Sequence, residues 1–435
     1  MTNDETNTQA VRDGTGPAPG DTEQVTPYGR KAVFAATLGY AMDGYDLQIL
    51  GFALPAITLS LGLSTTEAGL LATITLIGTV TGALFFGALA DRFGRVRVLT
   101  YSILLFAIFT ALTALSQGFV AMSVFRFIAG MGIGGEFGIG MALAAEAFPA
   151  IKRARATSMV GVGFQLGVLL AAVLSAPVIT LWGWQGLFII GIFPAIVAVI
   201  FRLRLAEPEA FVRHRQAVGA GQVKQNPFAL LVADRRTLRT SIGIVIICSI
   251  QNFGYYGILT WLPTYLSKQL GLSMTKSGIW TAVTVLGMIA GIMIFGQLAD
   301  RIGRRRSFWI FQAGACVSLF VYSQLTSPTA VLFGGAVMGV FANGMLGGYG
   351  AIIAENYPTA ARATAQNVLF GIGRGVGGLA PLAVALVAGW QGFGAALGFL
   401  ALIYIIDMIA MLLIPDRRGA QLDEEVSRSY QGASS

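Results

Sequence analysis

The sequence predicts an all-α membrane protein of twelve transmembrane helices arranged in two six-helix bundles, and three observations lead there. The 435-residue chain is 55% hydrophobic and only 11% charged, with a mean hydropathy of +0.71. Soluble domains carry roughly 25% charged residues, so most of this chain belongs in lipid. Its apolar residues gather into twelve separate runs, and the first six runs repeat in the last six at a fixed offset of 209 residues.

The runs, numbered here as spans 1 to 12, lie near 31–57, 66–90, 97–116, 119–144, 156–178, 184–204, 239–263, 275–299, 307–325, 329–353, 363–388 and 393–414. A helix of about 20 residues, rising about 1.5 Å each, crosses the hydrocarbon layer of a bilayer. Basic residues orient the series. With the N-terminus inside, Lys268 and Lys276 fall on the outer side and Arg126 and Arg374 inside helices, while the rest of the 29 Lys and Arg fall in cytoplasmic loops or tails. Such an excess marks the cytoplasmic side. The +8 net charge is therefore topology and not a nucleic-acid surface, and both termini are expected in the cytoplasm of a multi-pass cell (inner) membrane protein.

Residues 1–29, polar and rich in Gly, Thr, Pro and Asp, read as a disordered tail. They are not a cleavable signal, because no short apolar core precedes span 1. Residues 30–204 form the N-terminal bundle and 239–414 the C-terminal one, with a cytoplasmic linker at 205–238 and a tail at 415–435. The linker carries Glu207, Glu209, Arg213, the sole histidine His214, Arg215, Lys224, Arg235 and Arg236. Two cysteines, Cys248 and Cys316, sit in apolar runs and are expected as small core residues without a disulfide.

Shifting by 209 residues superposes Gly62–Arg95 on Gly271–Arg304 with 16 identities in 34 positions and no gap. The same shift lays Glu146, Phe148, Pro149, Arg153 and Ala154 on Glu355, Tyr357, Pro358, Arg362 and Ala363. Six spans is an even number, so both copies enter the membrane in the same sense. The bundles are then related by an axis along the membrane normal, with a ligand site near the midplane between them. The 56 glycines suit helices that pack closely.

No phosphate-cradling loop followed by Lys, no Cys/His cluster of metal spacing and no Gly-x-Ser-x-Gly elbow occurs. ATP-driven transport, enzymatic chemistry, metals and cofactors are accordingly not expected. Gly87-Ala88-Leu89-Ala90-Asp91-Arg92-Phe93-Gly94-Arg95, between spans 2 and 3, resembles the signature loop of the major facilitator superfamily. It recurs as Gly296-Gln297-Leu298-Ala299-Asp300-Arg301-Ile302-Gly303-Arg304, and the resemblance covers about 30–415. Within that superfamily, Asp43-Gly44-Tyr45-Asp46 resembles the span 1 motif of the aromatic acid:proton symporters. The stretch Gly134-Gly135-Glu136-Phe137-Gly138 in span 4 is more similar to the sialate and lactate proton symporters. Both implied families carry organic acids.

Asp43 and Asp46 lie near the middle of span 1, three residues apart and so on one helix face. A carboxylate at that depth costs a few kcal/mol, roughly 2.5–3.5, unless it is neutral, paired or wet. Two neighbouring carboxyl groups there suit the uptake and release of a proton. The bland alternative is that one of them is a permanent counter-ion. Arg126 in span 4 needs a partner at depth, and the resemblance places span 4 beside span 1, so a pair with Asp43 or Asp46 is expected, either modulating the proton site or simply structural. Glu136, roughly 15 Å further along the helix, is either a second proton station or a hydrogen-bond acceptor at a glycine-rich crossing.

Arg374 in span 11 lies among glycines, and the repeat sets it opposite Gln165 in span 5. A guanidinium fork matches a carboxylate, which makes the two residues candidates for holding an anionic substrate; the competing reading pairs Arg374 with Asp407 in span 12. Gln251, Asn252, Tyr255 and Tyr256 in span 7 and Asn343 in span 10 complete the candidate substrate set, with Phe253, Trp261 and Tyr349 as further aromatics. Tyr and Trp there also fit core or interface roles. Asn252 is the repeat counterpart of Asp43, so an ionisable group at that position belongs to one bundle only.

The family resemblance implies gating roles for the paired loops. Asp91, Arg92, Arg95 and their counterparts Asp300, Arg301, Arg304 would lock the outward-facing state, with Glu146 joined to Arg153 and Glu355 to Arg362. The expected function is proton-coupled uptake of a small organic acid, an aromatic carboxylate such as benzoate or hydroxybenzoate, by a monomer in a lipid bilayer. Lactate or sialate symport is the alternative; drug export by proton antiport and a non-transporting sensor rank below it, since span 5 lacks the Gly-Pro antiporter pattern and no large soluble domain is present.

Overall fold

In a computed structural model the described residues, 24–203, 205–219 and 226–417, form fourteen α-helices and no strand. The readings for residues 1–23 and 418–435, and the Lys224 part of the linker, lie outside the described residues. Helices α1 (Pro27–Leu61), α2 (Thr65–Phe93), α3 (Arg95–Thr113) and α4 (Phe119–Ala147) are spans 1 to 4. Spans 5 and 6 are α5 (Arg153–Ile190), interrupted at Gly183, and α6 (Ile192–Leu203). The linker contributes α7 (Glu209–Gly219). Then come α8 (Arg235–Leu270), α9 (Met274–Ile302), α10 (Arg304–Ser323), α11 (Pro328–Gly344), α12 (Leu346–Asn356), α13 (Arg362–Gly377) and α14 (Ala380–Ala410). Helices α11 and α12 together make span 10, and Gly392 interrupts α14 between spans 11 and 12.

Helix ends follow local chemistry. Thr26 accepts from the Gly29 amide ahead of Pro27, Ser64 and Glu67 make a reciprocal capping box, and Asp234 accepts from the Thr237 amide. Those bonds hold the Asp234 carboxyl below its usual value. The repeat is written into the backbone as well. Among the described residues the positive-φ positions are six glycines, Gly62, Gly94, Gly183, Gly271, Gly303 and Gly392, which form three pairs at the 209-residue offset. Each pair sits at an equivalent span junction, where the chain must turn within one residue and a Cβ would be strained.

Length and composition mark nine described stretches as membrane-crossing. Two of them, 51 and 52 residues long, each hold two crossings separated at Gly183 and Gly392. Arg304–Ser323, which opens on three arginines, supplies the remaining one. Large apolar side chains are exposed on these helices, Leu59, Val120, Phe193, Phe333 and Trp390 among them, while Asp43, Asp46, Arg126, Glu136, Glu355, Arg374 and Asp407 are buried. That inversion is what lipid demands.

The first and last described helices and the described start of the linker meet on one face, called here the terminal face. Tyr28 donates to the Ala206 carbonyl, and Arg239 and Arg305 donate to the carbonyls of Leu412 and Ile414. The two bundles touch through two symmetry-equivalent seams, α2 against α13 and α9 against α5. At the terminal face the seams are closed by ion pairs. Arg95 binds Asp91 and Glu146, and Arg304 binds Asp300 and Glu355. The sequence reading joined Glu146 to Arg153 and Glu355 to Arg362. The ion pairs run crosswise instead, Arg362 to Glu146 at 2.8 Å and Arg153 to Glu355 at 3.1 Å, stitching one bundle to the other. Asp91 accepts from the Ala363 and Thr364 amides, and Asp300 from those of Ala154 and Arg155, so each aspartate caps the first turn of a helix in the opposite bundle. Arg92 and Arg301 were expected in this lock; both stay exposed, Arg92 lying over Phe93.

Candidate functional site

A narrow cavity of about 20 Å³, room for little more than one water molecule, lies between the bundles. It is lined by Tyr40 of α1, Phe164 and Gln165 of α5, Gln251, Asn252, Tyr255 and Tyr256 of α8, Asn343 and Leu346 near the α11–α12 junction, and Phe370 and Arg374 of α13. Every residue proposed from sequence to hold substrate therefore converges on one space. Helix proximity explains the convergence. Gly44 allows α1 to press on α5, since a Cβ there would stand 2.1 Å from the Phe164 carbonyl oxygen.

The two aspartates of α1 have different surroundings. Asp46 is held by Arg126 through two bonds, Nη1 to Oδ1 at 3.0 Å and Nη2 to Oδ2 at 2.6 Å, and Oδ1 also accepts from Thr110 at 3.1 Å. Arg126 is steadied in turn by Thr75 at 3.3 Å and by the Phe188 ring. All of this is buried. Asp43 has one ionic neighbour, Arg374 at 3.6 Å across the bundle boundary, and neither of its oxygens is hydrogen-bonded. Arg374 thus pairs with Asp43 and not with Asp407, because α13 turns its guanidinium toward α1 and the cavity. Glu136 is buried and accepts from Ser102 at 3.2 Å.

Arg374 lies over the faces of Phe164 and Phe370, 5.8 and 5.9 Å from their centroids. Aromatic contacts continue beneath it. Phe137 stacks on Phe370 at 3.6 Å, and Tyr40 sits 5.2 Å from Phe137 and 4.9 Å from Phe164. Several buried polar atoms around the cavity make no hydrogen bond within the protein, namely both amide atoms of Gln165, Oε1 of Gln251, the Tyr255 hydroxyl, Nδ2 of Asn343 and Nε of Arg374. Buried polar groups are almost always satisfied, so a cluster of open donors and acceptors around a guanidinium is a surface fitted to a polar, anionic guest. Gln251 donates to Asn343 at 2.7 Å, and Asn252 donates back to its own helix at Cys248.

Two of the additional aromatics belong elsewhere. Trp261 donates to the Pro381 carbonyl, and Tyr349 donates to the Ile247 carbonyl inside the C-terminal bundle. Sequence reasoning missed Tyr40, Phe164 and Phe370, although helical spacing carried the signal. Tyr40 is three residues before Asp43, Phe370 four before Arg374, and Phe164 adjoins Gln165. It also missed Asn367, whose side chain accepts from the Gly138 amide across the bundle boundary, and Glu207, which caps α3 at Val96 and Arg97.

The sequence model of the Major Facilitator Superfamily matches residues 36–280 and 266–429. The chain is 56% identical over 406 residues, 92% of its length and all of the other's, to a Haemophilus influenzae protein provisionally named as a metabolite transport protein. It is 32% identical to a cis,cis-muconate transport protein of Acinetobacter baylyi, covering 89% of this chain and 94% of that one. A 4-hydroxybenzoate transporter of Pseudomonas aeruginosa is 27% identical over 81% of this chain and 84% of its own. The fold is that of the proton:xylose symporter XylE, with a TM-score of 0.77 at 18% identity, covering 94% of this chain and all of that one. The chain is a transporter, not an enzyme, and it belongs to the major facilitator superfamily.

Proposed function

We propose that this protein takes up a small aromatic carboxylate together with protons, by alternating access between its two bundles. One observation carries the reading. Arg374, flanked by the faces of Phe164 and Phe370, stands in the inter-bundle cavity with Asp43 as its ionic neighbour at 3.6 Å. A guanidinium fork suits a carboxylate and the rings suit a planar apolar body. Asp43 is then the proton carrier. When a substrate carboxylate takes Arg374, Asp43 loses its counter-charge and is favoured neutral. Asp46, tied to Arg126 and Thr110, serves as the fixed counter-ion. The names of the relatives that carry muconate and 4-hydroxybenzoate support the substrate class.

Tyr255, Tyr256, Gln165, Gln251, Asn252 and Asn343 line the same cavity and would select among acids. Their amides favour a second reading, a polyhydroxylated acid such as sialic acid, because Gln165, Gln251 and Asn343 offer free donors and acceptors that a bare aromatic ring would not engage. We assign the terminal face to the cytoplasm from the distribution of Lys and Arg, divide the chain at the 205–238 linker and expect a monomer. The crosswise lock of Asp91, Arg95, Glu146, Arg153 and their counterparts then closes the cytoplasmic gate, as alternating access requires. Glu136, buried on α4 and bonded by Ser102, is a candidate relay.

Proteoliposomes test this directly. Uptake of labelled 4-hydroxybenzoate driven by an inward proton gradient, competed by benzoate, lactate and sialic acid, ranks the substrates. Asp43→Asn should abolish gradient-driven accumulation. Accumulation at the wild-type level in that variant refutes Asp43 as the carrier, and uptake driven by an outward proton gradient refutes symport.

A further inference from the structure

The C-terminal bundle contains a buried acid that the central cavity does not use. Asp407 of α14 has no solvent exposure, and both of its oxygens lack a hydrogen-bond partner. Asp43, Asp46, Asp91, Asp300 and Glu355 are buried too, but each pairs with an arginine. No ion pair among the described residues includes Asp407. Gln312 on α10 is its nearest polar side chain, and Cys248 on α8, Tyr349 on α12 and Tyr404 on its own helix lie within electrostatic reach. Of the cations on the two helices packed on α14, Arg239 and Arg305 bond the carbonyls of Leu412 and Ile414 beyond its end, and Arg304 pairs with Asp300 and Glu355.

An ionised carboxylate buried without a cation or hydrogen-bond donor is far more costly than the neutral acid. Gln312 can satisfy the neutral acid through both of its amide atoms, and a carboxylate through only one. It is fully buried, and its amide nitrogen and oxygen are likewise unpartnered. A carboxylic acid can donate to an amide oxygen and accept from the amide N–H, a matched pair of bonds, whereas a carboxylate can only accept. Tyr349 and Tyr404 spend their hydroxyl protons on the carbonyls of Ile247 and Ala342 and so do not offer them to Asp407.

The site also has a mechanical link to the cavity. Cys248 packs against α13 at Gly373, where a Cβ would come within 2.6 Å of the cysteine's own, and Gly373 directly precedes Arg374. The Cys248 carbonyl accepts from Asn252 of the cavity wall. Movement of α8 or α13 between access states therefore changes what surrounds Asp407.

We propose that Asp407, with Gln312 as its partner, is a second proton-binding site, set in the C-terminal bundle, loaded while the terminal face is closed and unloaded when it opens. The proton binds one carboxylate oxygen and leaves as hydronium, with no other bond made or broken. The assignment does not rest on Asp43 being a carrier.

Infrared spectroscopy of the full-length protein in lipid nanodiscs at neutral pH reads the site without any substrate. The wild type should show a carboxylic-acid carbonyl band that is absent in Asp407→Asn, displaced in Asp407→Glu and shifted in Gln312→Leu, while Asp43→Asn leaves it in place. An unchanged band in Asp407→Asn overturns the loaded state. Should Asp407→Asn fail to fold, the Asp407→Glu and Gln312→Leu shifts decide the same point. The double variant Asp91→Asn/Asp300→Asn, which removes both cross-bundle caps, should lower the band by more than half. A band of full intensity there makes Asp407 a permanently neutral structural acid and overturns the unloading step.

Discussion

Asp46 and Asp43 stand three residues apart, and the structure predicts unequal consequences for the same substitution at each. Asp46→Asn removes the negative member of a buried pair whose two bonds are 2.6 and 3.0 Å long, and strands Arg126 with only Thr75 and the Phe188 ring. Breaking a buried ion pair in this way costs about 3–5 kcal/mol, most of it the uncompensated charge left behind. At about 2–4 °C of melting temperature per kcal/mol for domains of 150–250 residues, that is a drop of roughly 6–20 °C. Asp43→Asn breaks one contact at 3.6 Å with no hydrogen bond to lose; it also leaves the buried Arg374 without its counter-charge, so it should cost less than Asp46→Asn but more than a surface pair, about 1–3 kcal/mol. Thermal unfolding of the purified variants, followed by intrinsic fluorescence, makes the comparison. Adding Arg126→Gln to Asp46→Asn should restore part of the loss, because the stranded charge is then gone. If Asp43→Asn is the less stable of the two, or if the double variant is worse than Asp46→Asn, the division into carrier and counter-ion is wrong.

Other outcomes follow from the same geometry. Arg374→Lys keeps the charge but loses the fork, and since a hydrogen bond to a charged group contributes about 1.5–3 kcal/mol, substrate affinity measured by tryptophan quenching should fall roughly 10- to 100-fold. Gly44→Ala should express poorly or unfold early, its Cβ meeting the Phe164 carbonyl, while Gly51→Ala, with nothing within 4 Å, should match wild type in size-exclusion profile and melting point. Asp91→Asn should raise labelling of the buried seam position in Thr364→Cys, a near-isosteric change, because two amides of α13 lose their carboxylate cap and the terminal face opens more often. Asp234 has a folded-state value below its unfolded one, so its cap is fully present at neutral pH and lost as pH falls through the lowered value. Asp234→Ala should accordingly lower the melting point at pH 7, and the gap to wild type should close on acidification.

Much of this architecture was legible in the chain because lipid and repetition leave strong marks. The 209-residue offset located the signature loops, and the paired glycines Gly94 and Gly303 turn where the repeat requires. The candidate cavity residues were legible because polar side chains in apolar helices have few other reasons to be there. What stayed hidden was partnership. Nothing in the spacing says that Arg126 chooses Asp46 over Asp43, since both lie on one helix face, and the choice shows only once α4 packs on α1. The crosswise lock was hidden for a related reason. Sequence proximity favours Glu146 with Arg153, but the pseudo-two-fold axis brings Arg362 to Glu146 and Arg153 to Glu355. Asn367 and Ser158 hold equivalent repeat positions and meet Gly87 and Gly296, a close approach that only the packed bundles reveal.

The symmetry of the gate and the asymmetry of the centre bear on coupling. A lock built from equivalent halves can open only by releasing both seams, so whatever tips the balance must act at the axis, where the halves differ. Asp43 has Asn252 as its repeat counterpart, and Arg374 has Gln165, so the ionic contact between Asp43 and Arg374 has no repeat equivalent. An anionic guest on Arg374 breaks that contact, and a proton on Asp43 removes the charge that the guest has displaced. Bound alone, either ligand leaves an unbalanced charge in a cavity walled by Tyr40, Phe164 and Phe370. Substrate binding to the detergent-solubilised protein in weakly buffered solution should therefore take up a proton, seen as alkalinisation, and Asp43→Asn should eliminate that uptake while still binding the acid through Arg374. Binding without proton uptake in the wild type would mean that substrate and proton do not share Arg374 as their switch.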